Sequence, residues 1–119
     1  MSAKTLSVLT WLAIALGAVA YAAAGTSKVL GTEQMTQGFT HFHLPLWFMA
    51  FIGACEILGA IGLLIRRLSA LAAVGLAIIM VGAIYMHVTY DAPPMAAPAA
   101  VLLVLMTFVA WQRRPRAAI

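Results

Sequence analysis

The chain contains very little charge. Of its 119 residues three are acidic and seven are basic, so charged residues make up 8% of the sequence and hydrophobic residues 65%. A soluble domain carries roughly a quarter charged residues, because its surface must be hydrated. The mean hydropathy of +1.04 instead indicates a surface covered by lipid. The net charge of +4 does not indicate a nucleic-acid partner, because the basic residues stand at the ends of apolar runs.

Cysteine is almost absent as well. The single cysteine, Cys55, lies inside an apolar run. One cysteine excludes a disulfide within the chain and a CxxC redox pair. The sequence also lacks a ligand set for haem or an iron–sulfur cluster. We interpret Cys55 as a structural residue, and any redox role must therefore depend on chemistry that the chain does not carry itself.

Four long apolar runs predict four transmembrane helices. A helix rises 1.5 Å per residue, so about twenty residues cross a hydrocarbon core of ~30 Å. The predicted spans are residues 6–24, 46–65, 68–89 and 95–111. The first span ends at Gly25, and Pro45 precedes the second at a position that proline tolerates. The predicted fold class is all-α: an integral membrane four-helix bundle, forming a single domain over residues 1–119.

The connection between the first two spans has a helical pattern of its own. Met35, Phe39 and Phe42 recur at i, i+4 and i+7, with polar residues between them. This spacing predicts a short interfacial amphipathic helix within residues 32–42. The sequence leaves two roles open for it. The helix either covers the ends of the spans or gates the entry of a substrate as a lid.

The basic residues predict the orientation of the bundle. With four spans, one side of the membrane holds six of the seven basic residues, namely Lys4, Arg66, Arg67, Arg113, Arg114 and Arg116. The opposite side holds Lys28. By the positive-inside rule, both termini are expected in the cytoplasm. The predicted location is a bacterial-type inner membrane, which the chain crosses as a multi-pass protein with lipid around it.

One acid lies in the middle of a predicted span. Glu56 is about ten residues, or ~15 Å, from either end of the second span. A carboxylate at that depth costs a few kcal/mol and usually faces the interior of a bundle. Gly53, Gly59 and Ala60 share its helix face and suit close helix contact. Glu56 is therefore either a functional group or a protonated packing device bonded to a helix carbonyl.

Few side chains are available to pair with Glu56. Lys28 is the one basic residue away from the cytoplasmic side, and His87 is the one histidine within a span. We predict Glu56, Lys28 and His87 as catalytic residues and, as substrate-binding residues near them, Tyr21, Tyr85 and Tyr90. We predict no metal site, because a helix places His41 and His43 about 200° apart. These two histidines are expected to be exposed at the membrane interface.

Two segments resemble a known family. Residues 24–31 read AGTSKVLG and residues 53–64 read GACEILGAIGLL, and together they are similar to the DoxX-like group of small four-helix membrane proteins. The resemblance covers roughly the first three spans. It implies a four-helix bundle and marks Lys28, Glu56, Gly59 and Gly62 as characteristic positions. Some members resemble subunits of thiosulfate:quinone oxidoreductase or of membrane redox complexes, so the resemblance suggests a quinone but implies little about activity.

These observations lead to competing hypotheses of function. The first is a redox-associated membrane protein or enzyme that takes a quinone-like substrate from the outer leaflet. The second is a non-catalytic subunit of a larger complex or homo-oligomer, which would use the small-residue faces Gly53/Ala60 and Gly75/Gly82. A proton or solute pathway is the weakest hypothesis, because the inner half of the bundle lacks polar residues. A cavity around Glu56 favours the first hypothesis, and close packing there favours the second.

Overall fold

The computed structural model describes residues 2–115, which fold as helices without a β-strand. The elements are α1 (Ala3–Leu30), α2 (Glu33–His41), α3 (Leu46–Leu64), α4 (Ser69–Tyr90), a 3₁₀ turn (Pro93–Ala96) and α5 (Ala97–Gln112). Arg116, one of the residues used to predict orientation, lies outside the described residues.

Four of these segments are long and apolar enough to cross a membrane: α1, α3, α4 and the continuous stretch Pro93–Gln112. This confirms the predicted four-helix membrane fold. The bounds of α3 and α4 agree with the predicted second and third spans to within one residue. In the fourth span Pro98 lies in the first turn of α5, where its missing N–H breaks no helical hydrogen bond.

The predicted end of the first span is wrong. The α1 helix does not stop at Gly25 but continues to Leu30. Gly31 ends it with a left-handed backbone (φ 68°), and its N–H donates to the carbonyl of Lys28. Gly25 lies within the helix, where the missing side chain allows close contact with α3. The extension places Lys28 in the last turn of α1 rather than in a loop.

The four long helices pack as a ring in the order α1, α3, α4, α5. The closest packing is between α1 and α3 and between α4 and α5, and the contact between α3 and α4 is looser. The core of the bundle contains fully buried apolar side chains from all four helices, among them Ile14, Leu63, Leu76 and Met106. The bundle therefore consists of two tightly packed pairs that meet each other less closely, through α3 with α4 and through α1 with α5.

The bundle has two distinct ends. The guanidinium carbon of Arg113, just after α5, lies 4.7 Å from the centre of the Trp11 ring near the start of α1. The turn between α3 and α4 carries Arg66 and Arg67, and the antiparallel path of the chain brings it to the same end. We call this the basic end. The other end carries α2 and the turn after α4, and we call it the α2 end.

Candidate functional site

The site begins at a point where two helix backbones touch. A Cβ atom on Gly25 of α1 would lie 2.6 Å from the carbonyl oxygen of Gly53 in α3, and a Cβ atom on Gly53 would lie 2.7 Å from the carbonyl oxygen of Gly25. Any side chain at either position would push the helices apart. The two glycines therefore fix how deeply α1 and α3 approach each other near the α2 end.

This close approach aligns Lys28 with Glu56. Each residue follows its contact glycine by three positions, so on antiparallel helices they lie roughly 4.5 Å to either side of the crossing. Lys28 Nζ donates to Glu56 Oε1 at 2.7 Å. A Cβ atom on Gly53 would also lie 2.7 Å from Cβ of Lys28, so Gly53 leaves room for the lysine side chain to reach its partner. The structure confirms the predicted pairing of Lys28 with Glu56.

The Lys28–Glu56 pair lies at the wall of a cavity. The cavity has a volume of about 930 Å³ and extends beneath α2, between α3, α4 and the start of α5. Glu56 is only 1% exposed, yet it lines this cavity together with Lys28. Most of the remaining wall is apolar, with contributions from Phe39, Phe48, Ile52, Ile79 and Met95. A buried ion pair thus faces a space that is otherwise suited to a hydrophobic molecule.

The short helix α2 covers this cavity with its apolar side. Met35, Phe39 and Phe42 are half-buried and line the cavity, whereas Gln34 and Gln37 are exposed and contribute to the lining only from the side of α2 that faces outward. This confirms the predicted amphipathic helix. Its observed range, Glu33–His41, is one residue shorter at each end than predicted. No residue of α2 is fully buried, so the helix rests on the bundle through one side only.

A second polar cluster lies at the α2 end, around a residue that the sequence analysis did not select. His87 Nδ1 donates to Asp91 Oδ2 at 2.8 Å. His41 Nε2 lies 2.9 Å from Asp91 Oδ1 and 3.0 Å from the carbonyl oxygen of Tyr90. Because both neighbours of His41 Nε2 accept hydrogen bonds, this nitrogen carries the hydrogen. Asp91 therefore connects α2 to α4 through one carboxylate.

The cluster changes the expected roles of both histidines. His87 lines the cavity, as Glu56 does, but its hydrogen-bond partner is Asp91 and not Glu56. His41 is more than half exposed, as expected, but it also holds α2 against α4. The hydrogen bond from His87, together with the contact from His41, lowers the pKa of Asp91 below its ordinary value. The carboxylate is therefore ionised at neutral pH and accepts both contacts.

Aromatic rings surround the same cluster. The Phe42 ring meets the His87 ring edge-on at 5.2 Å between centres, and the His43 ring lies 5.5 Å from the Tyr90 ring. His43 has a left-handed backbone (φ 61°), which turns the chain sharply after α2. Side-chain contacts of this kind, added to the bonds of Asp91, attach the end of α2 to the end of α4.

The structure places the three predicted substrate-binding tyrosines away from the cavity lining. Tyr21 is buried in the core, and its hydroxyl has no hydrogen-bond partner among residues 2–115. Tyr85 is 65% exposed on the outside of α4. Tyr90 packs against the rings of α2 instead. None of the three is among the described residues that line the cavity, and their role in substrate binding stays a prediction.

The glycines near Glu56 are used within the chain. Gly53 and Ala60 are buried, so this face is not available to a partner protein, contrary to the second hypothesis.

A Cβ atom on Gly59 or Gly62 would contact Leu76 or Ala72 of α4. By contrast, a Cβ atom on Gly75 or Gly82 would meet nothing within 4 Å. Gly59 and Gly62, which the family resemblance marks as characteristic positions, therefore lie at the contact of α3 with α4.

Within residues 2–115, no group of three histidine, cysteine or acidic side chains is placed to hold a metal ion. Asp91 and His41 are the site residues that sequence reasoning missed. One signal was present: His87 and Asp91 are four residues apart, which on a helix places them on the same face. No comparable pattern connects His41 to Asp91, because α2 and α4 meet only in the folded chain.

A family model described as the DoxX-like family matches residues 11–109. The match covers most of the chain, including Lys28, Glu56, His87, Asp91 and the whole of α2. No curated protein and no solved structure matches the chain.

Proposed function

The chain belongs to the DoxX-like family of membrane proteins, and we propose that it is a redox-associated protein that takes a quinone-like substrate into the cavity beneath α2. In this proposal Lys28 and Glu56 contact the polar head of the substrate, and His87 exchanges protons near the mouth of the cavity. The substrate enters from the leaflet at the α2 end.

One observation carries this proposal: the buried Lys28–Glu56 pair lines a largely apolar cavity of about 930 Å³. An ion pair that only joined α1 to α3 would not need to face a cavity, and side chains could surround it completely. Ligand cavities commonly measure ~300–1,000 Å³ and combine apolar walls with a few convergent polar groups. The cavity beneath α2 combines the same features, which suits a flat ring with carbonyl groups at its edge.

The chain's own residues account for protons but not for electrons. Reduction of a quinone to a quinol consumes two electrons and two protons. Lys28 is positioned to donate a hydrogen bond to a quinone oxygen, and Glu56 to supply or accept a proton. His87, bonded to Asp91 near the α2 end, lies on the same cavity and closer to water. The electrons would come from a partner protein or a small reductant, since the sequence holds no redox cofactor set.

Binding of the reduced, quinol form of a short-chain ubiquinone to the protein in lipid nanodiscs tests the proposal. Glu56→Gln keeps the shape of the side chain but removes its charge, and it should weaken binding of the quinol about tenfold, since the hydrogen bond that a quinol hydroxyl donates to a charged carboxylate contributes ~1.5–3 kcal/mol. Glu33→Gln is the matched control, because Glu33 lies on the exposed side of α2. Equal binding by the unchanged protein and both variants would contradict a quinone site at Glu56.

A second candidate function is that of a non-catalytic subunit of a larger complex or homo-oligomer. A shallow groove of about 320 Å³ between α3 and α4 favours it, because Cys55, Gly59 and Gly75 form part of its wall and Gly75 faces open space. If this function holds, Gly75→Leu should abolish co-purification with the partner, and Glu56→Gln should leave it intact.

The orientation belongs to the same proposal. The basic end carries Lys4, Arg66, Arg67, Arg113 and Arg114, so the positive-inside rule places it in the cytoplasm of a bacterial-type cell. Reporter fusions within Arg66–Arg67 should then read as cytoplasmic, and a fusion near Asp91 should read as external. A cytoplasmic signal near Asp91 would overturn this orientation and the direction of substrate entry with it.

A further inference from the structure

The basic end contains no acidic side chain. The chain has three acids, Glu33, Glu56 and Asp91, and these lie in α2, in the middle of α3 and just after α4. None of them reaches the arginines that follow α3 and α5. Positive charges gathered without acidic side chains repel one another and favour an anion from outside the chain.

The surplus of positive charge at the basic end is most evident at Arg113. Its guanidinium lies over the Trp11 ring, 4.7 Å from the ring centre. One of its terminal nitrogens, Nη1, is buried and has no hydrogen-bond partner among residues 2–115. Burial, and then the nearby charge of Arg66, lower the pKa of Arg113. The path of the chain places Arg66, in the α3–α4 turn, at the same end of the bundle as Arg113, and the two positive charges repel each other.

The neighbouring arginine uses one of its donors within the chain. The guanidinium carbon of Arg114 lies 3.8 Å from the centre of the Trp111 ring. Arg114 Nη1 donates a hydrogen bond to the carbonyl oxygen of Trp111. Arg113 and Arg114 are adjacent in sequence and carry the same charge, so Arg114 is a matched internal reference. The difference between them is an unsatisfied donor on Arg113 and its proximity to Arg66.

We propose that Arg113 and Arg66 form a binding site for the phosphate of an anionic phospholipid. A guanidinium offers paired N–H donors that match two oxygens of a phosphate, and a buried charged donor is costly without a partner. The position of the site indicates lipid as the source of this phosphate. Trp11 and Trp111 are exposed beside these arginines, and tryptophan rings of this kind lie at the level of lipid headgroups. The acyl chains would lie along the exposed apolar surface next to them.

Native mass spectrometry of the detergent-purified protein tests this site by titration with dioleoyl phosphatidylglycerol or dioleoyl phosphatidylcholine. We expect the first phosphatidylglycerol to bind about tenfold more tightly than phosphatidylcholine, the size expected of one charged hydrogen-bonded contact. Arg113→Gln and Arg66→Gln should each remove most of this preference. Arg114→Gln removes the same charge at the same end and should change the preference less than about twofold.

Three results would overturn the proposal. Equal binding of the two lipids would show that the basic end does not select an anionic headgroup. An equal loss in Arg113→Gln and Arg114→Gln would show attraction by net charge alone. Displacement of phosphatidylglycerol by an excess of inorganic phosphate would show a site for a free anion. Arg66→Gln provides an independent answer if Arg113→Gln does not fold, because Arg66 lies in the turn rather than against a helix.

Discussion

The α2 end and the basic end of the bundle use their charged residues differently. At the α2 end, polar and charged side chains join separate elements: Lys28 with Glu56 connects α1 to α3, and His41 with Asp91 connects α2 to α4. At the basic end, Arg113 and Arg114 lie against tryptophan rings, and no acidic side chain within residues 2–115 pairs with them. Charged residues at the α2 end are thus paired with one another, and those at the basic end lie against aromatic rings. What separates the two cases is whether a carboxylate on another element is within reach.

The largest expected difference between the ends concerns the loss of one lysine. Lys28→Ala leaves Glu56 buried without its partner, and breaking a buried ion pair costs about 3 kcal/mol or more of unfolding free energy. Lys4→Ala at the basic end removes an exposed side chain and should cost less than about 0.5 kcal/mol. Reversible unfolding in mixed detergent micelles, followed by circular dichroism, measures both values.

A double variant sharpens this comparison. Replacing both partners, as in Lys28→Met with Glu56→Leu, removes the two charges together and should recover most of the stability that Lys28→Ala loses. Equal stabilities of the Lys28→Ala and Lys4→Ala proteins would mean that the contact at 2.7 Å contributes nothing to the fold. The charged contact at the α2 end would then shape the site without stabilising the fold.

The second prediction compares two glycines that undergo the same chemical change. Gly53→Ala would place a methyl group 2.7 Å from both the Gly25 carbonyl oxygen and Cβ of Lys28, so α1 and α3 must separate. We expect a loss of about 2 kcal/mol, within the range for overpacked positions. Gly75→Ala meets nothing within 4 Å and should instead stabilise α4 by up to about 1 kcal/mol. Thermal unfolding of the two variants should therefore shift in opposite directions.

The outcome for Gly53 also affects the site. Since Lys28 passes over Gly53 to reach Glu56, Gly53→Ala should weaken quinone binding as well as stability, whereas Gly75→Ala should leave binding unchanged. If both variants have the same stability, the close approach of α1 to α3 is not required for the fold.

The sequence predicted the four spans well because their signal is local. Length and hydropathy alone identify a helix that crosses a membrane, and α3 and α4 ended within one residue of their predicted bounds. The error at Gly25 has a physical cause. A glycine that ends a helix and a glycine that admits a neighbouring helix look alike in one sequence. Only the contact with Gly53 shows which kind Gly25 is.

The candidate site was predictable to the extent that its partners were scarce. Lys28 was the one basic residue near enough to pair with Glu56, so elimination identified it. The bond from His41 to Asp91 joins residues fifty positions apart and follows no helical period, so the sequence analysis did not select Asp91. The cavity itself could not be foreseen, because its wall combines residues of several helices that meet only in the folded chain.

The smallest expected effect concerns how firmly α2 is held. Asp91→Asn replaces a carboxylate that accepts from both His41 and His87, so α2 should open more often while the bundle remains folded. In a Cys55→Ser background, a cysteine at Phe39 should react with a water-soluble maleimide several times faster when Asp91 is changed. A cysteine at Gln37 is already exposed and should react at the same rate in both proteins. Glu33→Gln is the control, because Glu33 bonds only Gln37 within α2.

The dependence on pH follows from the lowered pKa of Asp91. A carboxyl group whose pKa is lower in the folded protein stabilises the fold above its ordinary value, about 3.9, and loses that effect as the pH falls through the folded value. Titration of Asp91 should therefore not release α2 between neutral pH and pH ~4, and should release it below. Spin labels on cysteines that replace Gln37 and Val88, attached before acidification, measure the release of α2. The distribution of distances between the two labels should broaden only below pH ~4. If Asp91→Asn leaves both the labelling rate and the distance unchanged at neutral pH, the aromatic contacts of Phe42 and Tyr90 hold α2 by themselves.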